Sequence, residues 1–423
     1  MAHVRARHAL FLLPLVLGGK DPLWAQEILR EPETVSERFN TLTRAPSLRA
    51  SGWEINPVAE LRAGYDSNIN FSAVAGRSSS LVELRGQINA SREIGPDQIA
   101  IEALVQQQLY LESASDNEAT ASLVLRGQVY AGEQTQIRGS VGISYDVEAS
   151  TAADSGTITG GTFDPYTTRA TRVRVPVEAG IARDIGRWFG DANATATWTQ
   201  YDDLQTEGGT TIQQDFRNGW EVTAQLRGGY RLTTGVGAFG RVEVQDRSFE
   251  DATANNQGLR LSAGAQFEFT RLLTGEVTLG WTAQHFDVSG ETESGFTYSG
   301  ELNWYANPLL SISLAGARTF EGQQTVSASG AATATPILRD SVALRAELEA
   351  LRTLLVFAEG RYVANASEDG ALDDQLIELE VGSNYSLTRT VRLDTSYTYS
   401  AAQTTSSGDP VRNLVTVGLS AAF

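Results

Sequence analysis

The feature that most constrains this sequence is a two-residue alternation that recurs from Trp53 to the last residue. In each repeat every second residue is apolar, and the residues between them are charged, polar or small. A period of two is the period of a β-strand, and two unlike faces mean two unlike surroundings. The first repeat carries on one face Ala59, Leu61, Ala63, Tyr65 and on the other Glu60, Arg62, Gly64.

The last repeat ends the chain on an aromatic residue. Val415, Val417 and Leu419 share a face with the terminal Phe423, and the opposite face is small and mostly polar. A final sandwich strand can show this pattern. So can an outer-membrane barrel, whose apolar side chains face lipid and whose polar side chains face water. The strand resembles the last strand of bacterial outer-membrane barrels, which the barrel assembly machinery reads, so we predict that Phe423 is an assembly signal.

The connections between repeats favour the barrel. We count about 18 strands, an even number within the range of bacterial barrels. Long connections, as at residues 150–165 and 320–338, alternate with short ones, as at 132–133 and 352–353. Short periplasmic turns and long outer loops explain this alternation, whereas a sandwich or a propeller does not. The predicted fold class is therefore an all-β, antiparallel, up-and-down transmembrane barrel.

Composition narrows the function classes. The net charge of −18 argues against nucleic-acid binding, and the chain has no Cys for disulfides or thiolate metal sites. Mean hydropathy is −0.21, and no run of 18 apolar residues follows the leader, so we expect no transmembrane helix. A β-barrel is the membrane structure compatible with such a hydropathy.

The N-terminal sequence has the pattern of a secretory signal peptide. Arg5 and Arg7 precede an apolar run at residues 9–18, which predicts a signal peptide over residues 1–25 with cleavage after Ala25. Residues 26–51 are predicted to be a periplasmic lead-in, partly disordered or a short helix. The alternative is a plug inside the barrel, for which the segment is short. The barrel is predicted to span residues 52–423.

The polar face carries many charges of both signs. So many ionisable groups need a water-filled lumen or dense mutual pairing, and about 18 strands leave an aqueous bore. The alternative is that these charges only keep the barrel wall solvated and make it more rigid. The predicted lumen-lining residues are Glu60, Arg62, Glu83, Arg85, Arg126, Arg138, Arg174, Glu178, Arg227, Arg241, Glu243, Arg260, Glu268, Arg345, Glu347, Arg361, Glu378 and Arg392.

Two hypotheses about selectivity follow from this face. The late strands lean acidic, as at Glu347, Glu349 and Glu359, which suggests a mild cation preference. Sugar channels line their bore with aromatic side chains, and the inward aromatic candidates here are Tyr110, Tyr130, Tyr201, Phe239, Phe286 and Phe357.

No motif supports catalysis or a cofactor. Residues 235–240 match GxGxxG but do not open a helix in a βαβ unit, so the nucleotide interpretation fails its context test. His3 and His8 lie in the leader and His285 points to lipid or the rim, so a hydrolase has no good base and zinc has no ligand cluster. We therefore expect a protein that is not an enzyme, without cofactor or metal.

Residues 64–68, Gly64, Tyr65, Asp66, Ser67 and Asn68, close the first strand. Asp, Ser and Asn side chains hydrogen-bond to the nearby backbone, which predicts an Asx-type turn at the loop entrance. The stretch 60–70 resembles the first-strand signature of the putative β-barrel porin 2 family of Gram-negative bacteria, and the resemblance extends over roughly Trp53 to Phe423. Members are often encoded beside exopolysaccharide genes, and some resemble the outer-membrane pore of polysaccharide export systems. The resemblance thus implies a translocation pore and supplies no catalytic residues.

Three hypotheses remain open. The first is an outer-membrane channel for secreted polysaccharide or sugars. The second is a general diffusion porin for small hydrophilic solutes, and the third is a structural or adhesive barrel with a blocked lumen. The expected partners are outer-membrane lipid and lipopolysaccharide, the barrel assembly machinery and periplasmic polysaccharide export components.

Overall fold

The protein is described by a computed structural model, in which the predicted signal peptide, residues 1–25, lies outside the described residues. The described residues are 34–42, 46–147, 170–205, 211–252, 255–269, 272–287, 290, 292–326, 332–367, 373–404 and 408–423.

Eighteen long strands carry the alternating repeats. The first nine are β1 (Trp53–Asp66), β2 (Ser79–Ile94), β3 (Asp97–Tyr110), β4 (Glu118–Tyr130), β5 (Thr135–Val147), β6 (Thr171–Ile185), β7 (Trp188–Tyr201), β8 (Gly219–Thr233) and β9 (Val236–Phe249). The second nine are β10 (Asn256–Phe269), β11 (Leu273–Phe286), β12 (Thr292–Asn307), β13 (Leu310–Val326), β14 (Ala332–Leu351), β15 (Leu354–Ser367), β16 (Asp373–Ser386), β17 (Val391–Gln403) and β18 (Val411–Ala422).

The sheet closes on itself. Each strand pairs antiparallel with its neighbour in sequence, and β1 pairs with β18 in a register that runs from Val58 opposite Ala422 to Asp66 opposite Leu414. Closure leaves no unpaired edge, which is what a sheet in lipid requires. The prediction of an antiparallel up-and-down barrel of about 18 strands is therefore confirmed.

The two ends of the barrel differ. Consecutive strands are joined by short turns at one end, the turn end, where the gap between β2 and β3 is Gly95 and Pro96. At the other end, the loop end, the connections are longer, as at residues 67–78 between β1 and β2. Both termini of the sheet lie at the turn end, because an even number of strands returns the chain to its starting side.

The outer face is apolar and is framed by aromatic side chains. Leu61, Leu279 and Leu419 are about half exposed on it, as residues facing lipid would be. At the loop end, Trp198 of β7 lies opposite Trp220 of β8. The aromatic residues that face outward near the turn end include Trp53, Trp188, Tyr230, Phe269, Trp304 and Tyr385. Two such girdles are the usual mark of a membrane-spanning barrel.

A short helix and a short strand precede β1. Helix α1 (Val35–Leu42) begins with a capping box, in which Thr34 Oγ1 accepts from the Glu37 backbone N–H (3.2 Å) and Glu37 Oε2 accepts from the Thr34 backbone N–H (2.9 Å). The strand Leu48–Ala50 then pairs with the first residues of β1. Within the described residues, no helix is long and apolar enough to span a membrane.

Candidate functional site

The inner face of the barrel holds a network of charge pairs. The alternation places these side chains opposite the exposed apolar ones, and neighbouring strands supply both signs at matched positions. Arg62 of β1 pairs with Glu60 on its own strand and with Glu83 of β2, at 3.6 Å. Other inner ion pairs that involve predicted lumen residues are Arg126–Glu102, Arg174–Asp146, Arg227–Glu276, Arg241–Glu276, Arg260–Glu243, Arg345–Glu347, Arg345–Glu359 and Arg392–Asp394.

The remaining predicted lumen residues make weaker or different contacts. Arg138 donates to Asn193 Oδ1 at 2.5 Å, and Arg85 donates to Gln87 at 3.0 Å. Glu378 lies opposite Arg361 in register and accepts from Ser400 at 3.2 Å, and Glu178 accepts from Ser140 at 3.5 Å. Glu268 is exposed near the turn end.

Helix α1 lies against the inner wall at the turn end. Its first N–H groups donate to side chains of the wall, Val35 to Ser311 Oγ (3.1 Å) and Ser36 to Glu347 Oε2 (3.0 Å). A carboxylate at a helix N-terminus satisfies groups that have no partner within the helix and also favours the helix dipole. The sequence allowed a short helix in this segment, but its place inside the bore differs from the expected periplasmic lead-in.

The other contacts of α1 explain why it is inside. Phe39 is fully buried in a cluster with Val35 and with Leu355 of β15, where removing a phenylalanine from water contributes roughly 1.5–3 kcal/mol. Arg38 pairs with Glu349 of β14 at 2.5 Å, and Asn40 accepts from Arg392 of β17 at 2.9 Å. Together with residues 67–78, described below, α1 covers the inner wall formed by β13–β18 and β1–β3, which we term the covered arc.

The wall formed by β4–β12, which we term the arginine arc, is organised differently. Glu276 of β11 accepts from Arg227 of β8 (2.8 Å) and from Arg241 of β9 (2.9 Å). The Arg227 guanidinium also lies 3.8 Å from the ring centroid of Phe239, in cation–π geometry. One carboxylate and one ring thus hold two cations in place above the bore wall.

A cavity of about 420 Å³ lies between α1 and the covered arc. Its lining is rich in amides and hydroxyls, which can both donate and accept hydrogen bonds. Four of its charges form the pairs Arg62–Glu60 and Arg392–Asp394, whereas Arg85 donates to the amide of Gln87. The largely buried Phe357 of β15 adds an aromatic ring beneath Arg345, at 4.6 Å. Its amide and hydroxyl residues include Asn40, Asn56, Gln87, Asn89, Asn384 and Ser420.

The predicted inward aromatics are held by polar partners. Tyr110 accepts from Gln108 (2.6 Å) and Tyr130 from Gln128 (2.8 Å), both through the phenolic oxygen. Tyr201 lies under the Arg217 guanidinium, 3.9 Å from its ring centroid. Phe286 is buried at the end of β11.

The stretch Gly64–Asn68 forms the turn that its composition predicts. The Asn68 backbone N–H donates to Asp66 Oδ1 at 3.0 Å, which is an Asx turn. Gly64 faces inward, where a Cβ would lie 2.4 Å from the Val415 carbonyl oxygen of β18. Glycine here permits the close pairing of the first and last strands.

Several inner residues were not among the predicted ones. Asp146 and Glu276 lie at inward positions of the two-residue alternation, as their predicted partners do, so the alternation could have identified them. The ion pair between Asp66 and Arg412 joins residues that are remote in sequence, and α1 makes hydrogen bonds to wall residues 276 or more positions away. No local pattern contains these contacts.

The GxGxxG match and His285 form no catalytic or metal site among the described residues. Residues 235–240 form the turn before β9 and the start of that strand, and they lead into no helix. Among the described residues, no group of three or more His, Asp or Glu side chains is placed to hold a metal ion. His285 faces outward beside Thr292, at 3.1 Å.

Comparison with known protein families identifies the family of this chain. The family model of the putative beta-barrel porin 2 matches residues 46–423. The chain belongs to this family. Membership in a porin family, together with a closed barrel and a charged bore, supports a channel rather than an enzyme. No curated protein matches the sequence of this porin 2 member.

Several solved structures have a similar outline, among them the outer membrane protein OpdK. OpdK from Pseudomonas aeruginosa has 11% identity and a TM-score of 0.44, covering 87% of this chain and 99% of that one. OccK3 (OpdO) from the same organism has 11% identity and a TM-score of 0.45, with coverage of 87% and 96%. OccAB2 from Acinetobacter baumannii has 10% identity and a TM-score of 0.44, with coverage of 87% and 98%. At such values nothing about the substrate of this chain follows from them.

Proposed function

We propose that the protein is an integral channel of the outer membrane, with its turn end in the periplasm and its loop end outside. The apolar outer face and its two aromatic girdles support an environment of lipid and lipopolysaccharide. Phe423, exposed at the turn end, is the residue we assign to recognition by the barrel assembly machinery. The charged inner face supports a water-filled path for hydrophilic solutes.

We propose further that the solute is a carbohydrate, a sugar or a segment of secreted polysaccharide. The observation that carries this is the cavity wall between α1 and the covered arc. Amides such as Asn56 and Asn384, with the hydroxyl of Ser420, match the alternating donors and acceptors of a polyhydroxylated ligand. Phe357 adds a largely buried apolar ring to the same wall, and charges of both signs line the cavity, so no strong field of one sign is expected.

A general diffusion porin for small hydrophilic solutes is the second candidate. The charge pairs that balance the bore favour it, because neutralised walls discriminate little between small solutes. For a polymer, periplasmic export components are the partners we expect, and α1 then lies where they would meet the channel.

Titration of the open channel with oligosaccharides in planar bilayers separates these functions. A carbohydrate channel should show current block that saturates with maltooligosaccharide concentration, and Phe357→Ala should weaken that block. Val356→Ala, on the same strand but facing outward, is the matched control and should leave the block unchanged. Linear, non-saturating reduction of current would favour the diffusion porin, and absence of conductance would favour a blocked structural barrel.

The role in polysaccharide export is tested separately in cells. Deletion of the gene should abolish surface polymer if the barrel exports it. Unchanged polymer together with impaired uptake of small sugars would restrict the carbohydrate function to small solutes.

A further inference from the structure

Residues 67–78, which connect β1 to β2, turn into the mouth of the bore. Ile69 is fully buried in a cluster with inward side chains of three strands, Leu81, Tyr110 and Leu414. Phe71 is buried in a second cluster farther along the wall, with Val363, Leu376 and Ala402. Both clusters lie on the inner face near the loop end, so the segment crosses part of the opening.

A buried ion pair anchors the start of this segment. Asp66 ends β1 with no exposed surface, and Arg412 of β18 donates through Nε to both of its carboxylate oxygens, at 3.0 and 2.9 Å. The same carboxylate accepts from the Asn68 backbone N–H, so its charge is satisfied from two sides. A buried pair of this kind specifies geometry, since either charge alone would be costly.

Two further residues fix the direction in which the chain leaves β1. Ser67 exchanges hydrogen bonds with Asn413, through its backbone N–H (2.9 Å) and its Oγ (2.7 Å). The Asn68 amide donates to the carbonyls of Val411 (3.0 Å) and Ser72 (2.9 Å), and its Oδ1 accepts from the Ser72 N–H (3.1 Å). The segment is therefore tied to β18 before it reaches the opening.

The far part of the segment is built around the same amide. A Cβ on Gly76 would lie 3.0 Å from Asn68 Oδ1, so a side chain there would press on the amide. Phe71 has a positive φ of 46°, a strained conformation for a residue with a side chain, and its ring is held in the second cluster. Strain of this kind persists only where the surroundings fix the conformation.

We propose that Asp66, Ser67, Asn68 and Arg412 form a clasp that positions residues 69–76 across the mouth as a constriction, which the buried Ile69 and Phe71 hold against the inner wall. The four are positioning residues of the channel, and the constriction sets the size of solute admitted. The clasp joins the first strand to the last, so the constriction forms where the barrel closes. The proposal needs only the channel role, and it holds for any hydrophilic solute.

The test compares three variants in planar bilayers. Asp66→Asn with Arg412→Gln removes both charges of the clasp, Asn68→Ala removes its amide, and replacement of residues 69–76 by a short Gly-Ser linker removes the constriction. Heat-modifiable migration on gels reports whether each barrel folds. The readouts are single-channel conductance and the largest polyethylene glycol that enters the pore.

All three variants are expected to raise the conductance by about two-fold and to admit larger polymers, because a narrower mouth limits an otherwise wide bore. Arg318→Gln with Asp340→Asn is the matched control, since this pair has the same bidentate chemistry on β13 and β14 but faces outward. It should leave the conductance and the polymer cut-off unchanged.

A disulfide rescue distinguishes positioning from general damage. The chain has no Cys, so Phe71→Cys and Leu376→Cys can be added to the Asn68→Ala variant without competing thiols. Oxidation should restore the low conductance and reductant should release it. Folded linker variants with unchanged conductance would overturn the constriction. If the linker variant has a higher conductance but the clasp variants do not, or if oxidation does not restore the low conductance, the clasp is overturned. If the charge double variant does not fold, the Asn68→Ala variant decides.

Discussion

The covered arc and the arginine arc have the same alternating strands, yet they present different surfaces to the bore. On the covered arc, apolar residues at inward positions, such as Leu355 and Leu376, are buried under α1 or residues 67–78. On the arginine arc, inward cations such as Arg227 and Arg241 are held by Glu276 and by Phe239. On the covered arc, an inward aliphatic residue such as Leu355 or Leu376 therefore marks a place where another segment docks.

The largest expected effect comes from uncovering the covered arc at the turn end. Phe39→Ala should release α1, because losing a buried phenylalanine costs about 3–5 kcal/mol and an eight-residue helix has little stability of its own. Single-channel conductance should then rise by about two-fold as the bore widens.

Two control variants sharpen this result. Phe39→Leu keeps most of the apolar volume and should keep the conductance of the parent. Arg38→Gln removes the cation beside the buried Glu349 but supplies an amide donor in its place and keeps the Phe39 contact, so it should add brief openings without a lasting rise. Equal conductance in all three variants would mean that α1 does not narrow the path.

The difference between the arcs also explains what could be predicted from sequence. The strand number, the closure and the inward charges follow from a local period of two and from alternating connection lengths, so they were accessible. The positions of α1 and residues 67–78 depend on contacts such as Ser36 with Glu347 and Asp66 with Arg412, which no local period encodes. The inward Leu355 and Leu414 were the available signal, since they break the polar face.

A smaller effect is expected on the arginine arc. Glu276→Gln leaves Arg227 and Arg241 without the carboxylate they share, so the bore gains positive charge where it is shielded from bulk water. The reversal potential in a KCl gradient should shift toward anions, while the conductance changes little because no covering segment moves.

A matched charge change tests whether location matters. Glu221→Gln makes the same change at the loop end, where Glu221 is about half exposed beside Arg247. Salt screens exposed charges strongly, so its shift in reversal potential should be smaller. A shift as large as that of Glu276→Gln would show that the shared Glu276 carboxylate has no special weight in ion selectivity.

The smallest expected effect concerns pH at the loop end of the covered arc. Glu112, in the connection between β3 and β4, accepts from the Ser79 hydroxyl and from the Ser80 backbone N–H, both at 2.6 Å, and these bonds hold the pKa of its carboxyl below its usual range. A depressed pKa means that the charged form stabilises the folded loop. This contribution is complete above the usual pKa of a glutamate and is lost as the pH falls through the depressed value. Acidification through that window should therefore speed hydrogen exchange at Ser80, where residues 67–78 join β2. The conductance should stay constant, because the Asp66–Arg412 pair still anchors the segment. Glu112→Gln should remove the pH dependence of hydrogen exchange at Ser80. The role of Glu112 is refuted if Ser80 exchange in the parent protein, corrected for its intrinsic rate, does not change across that pH window.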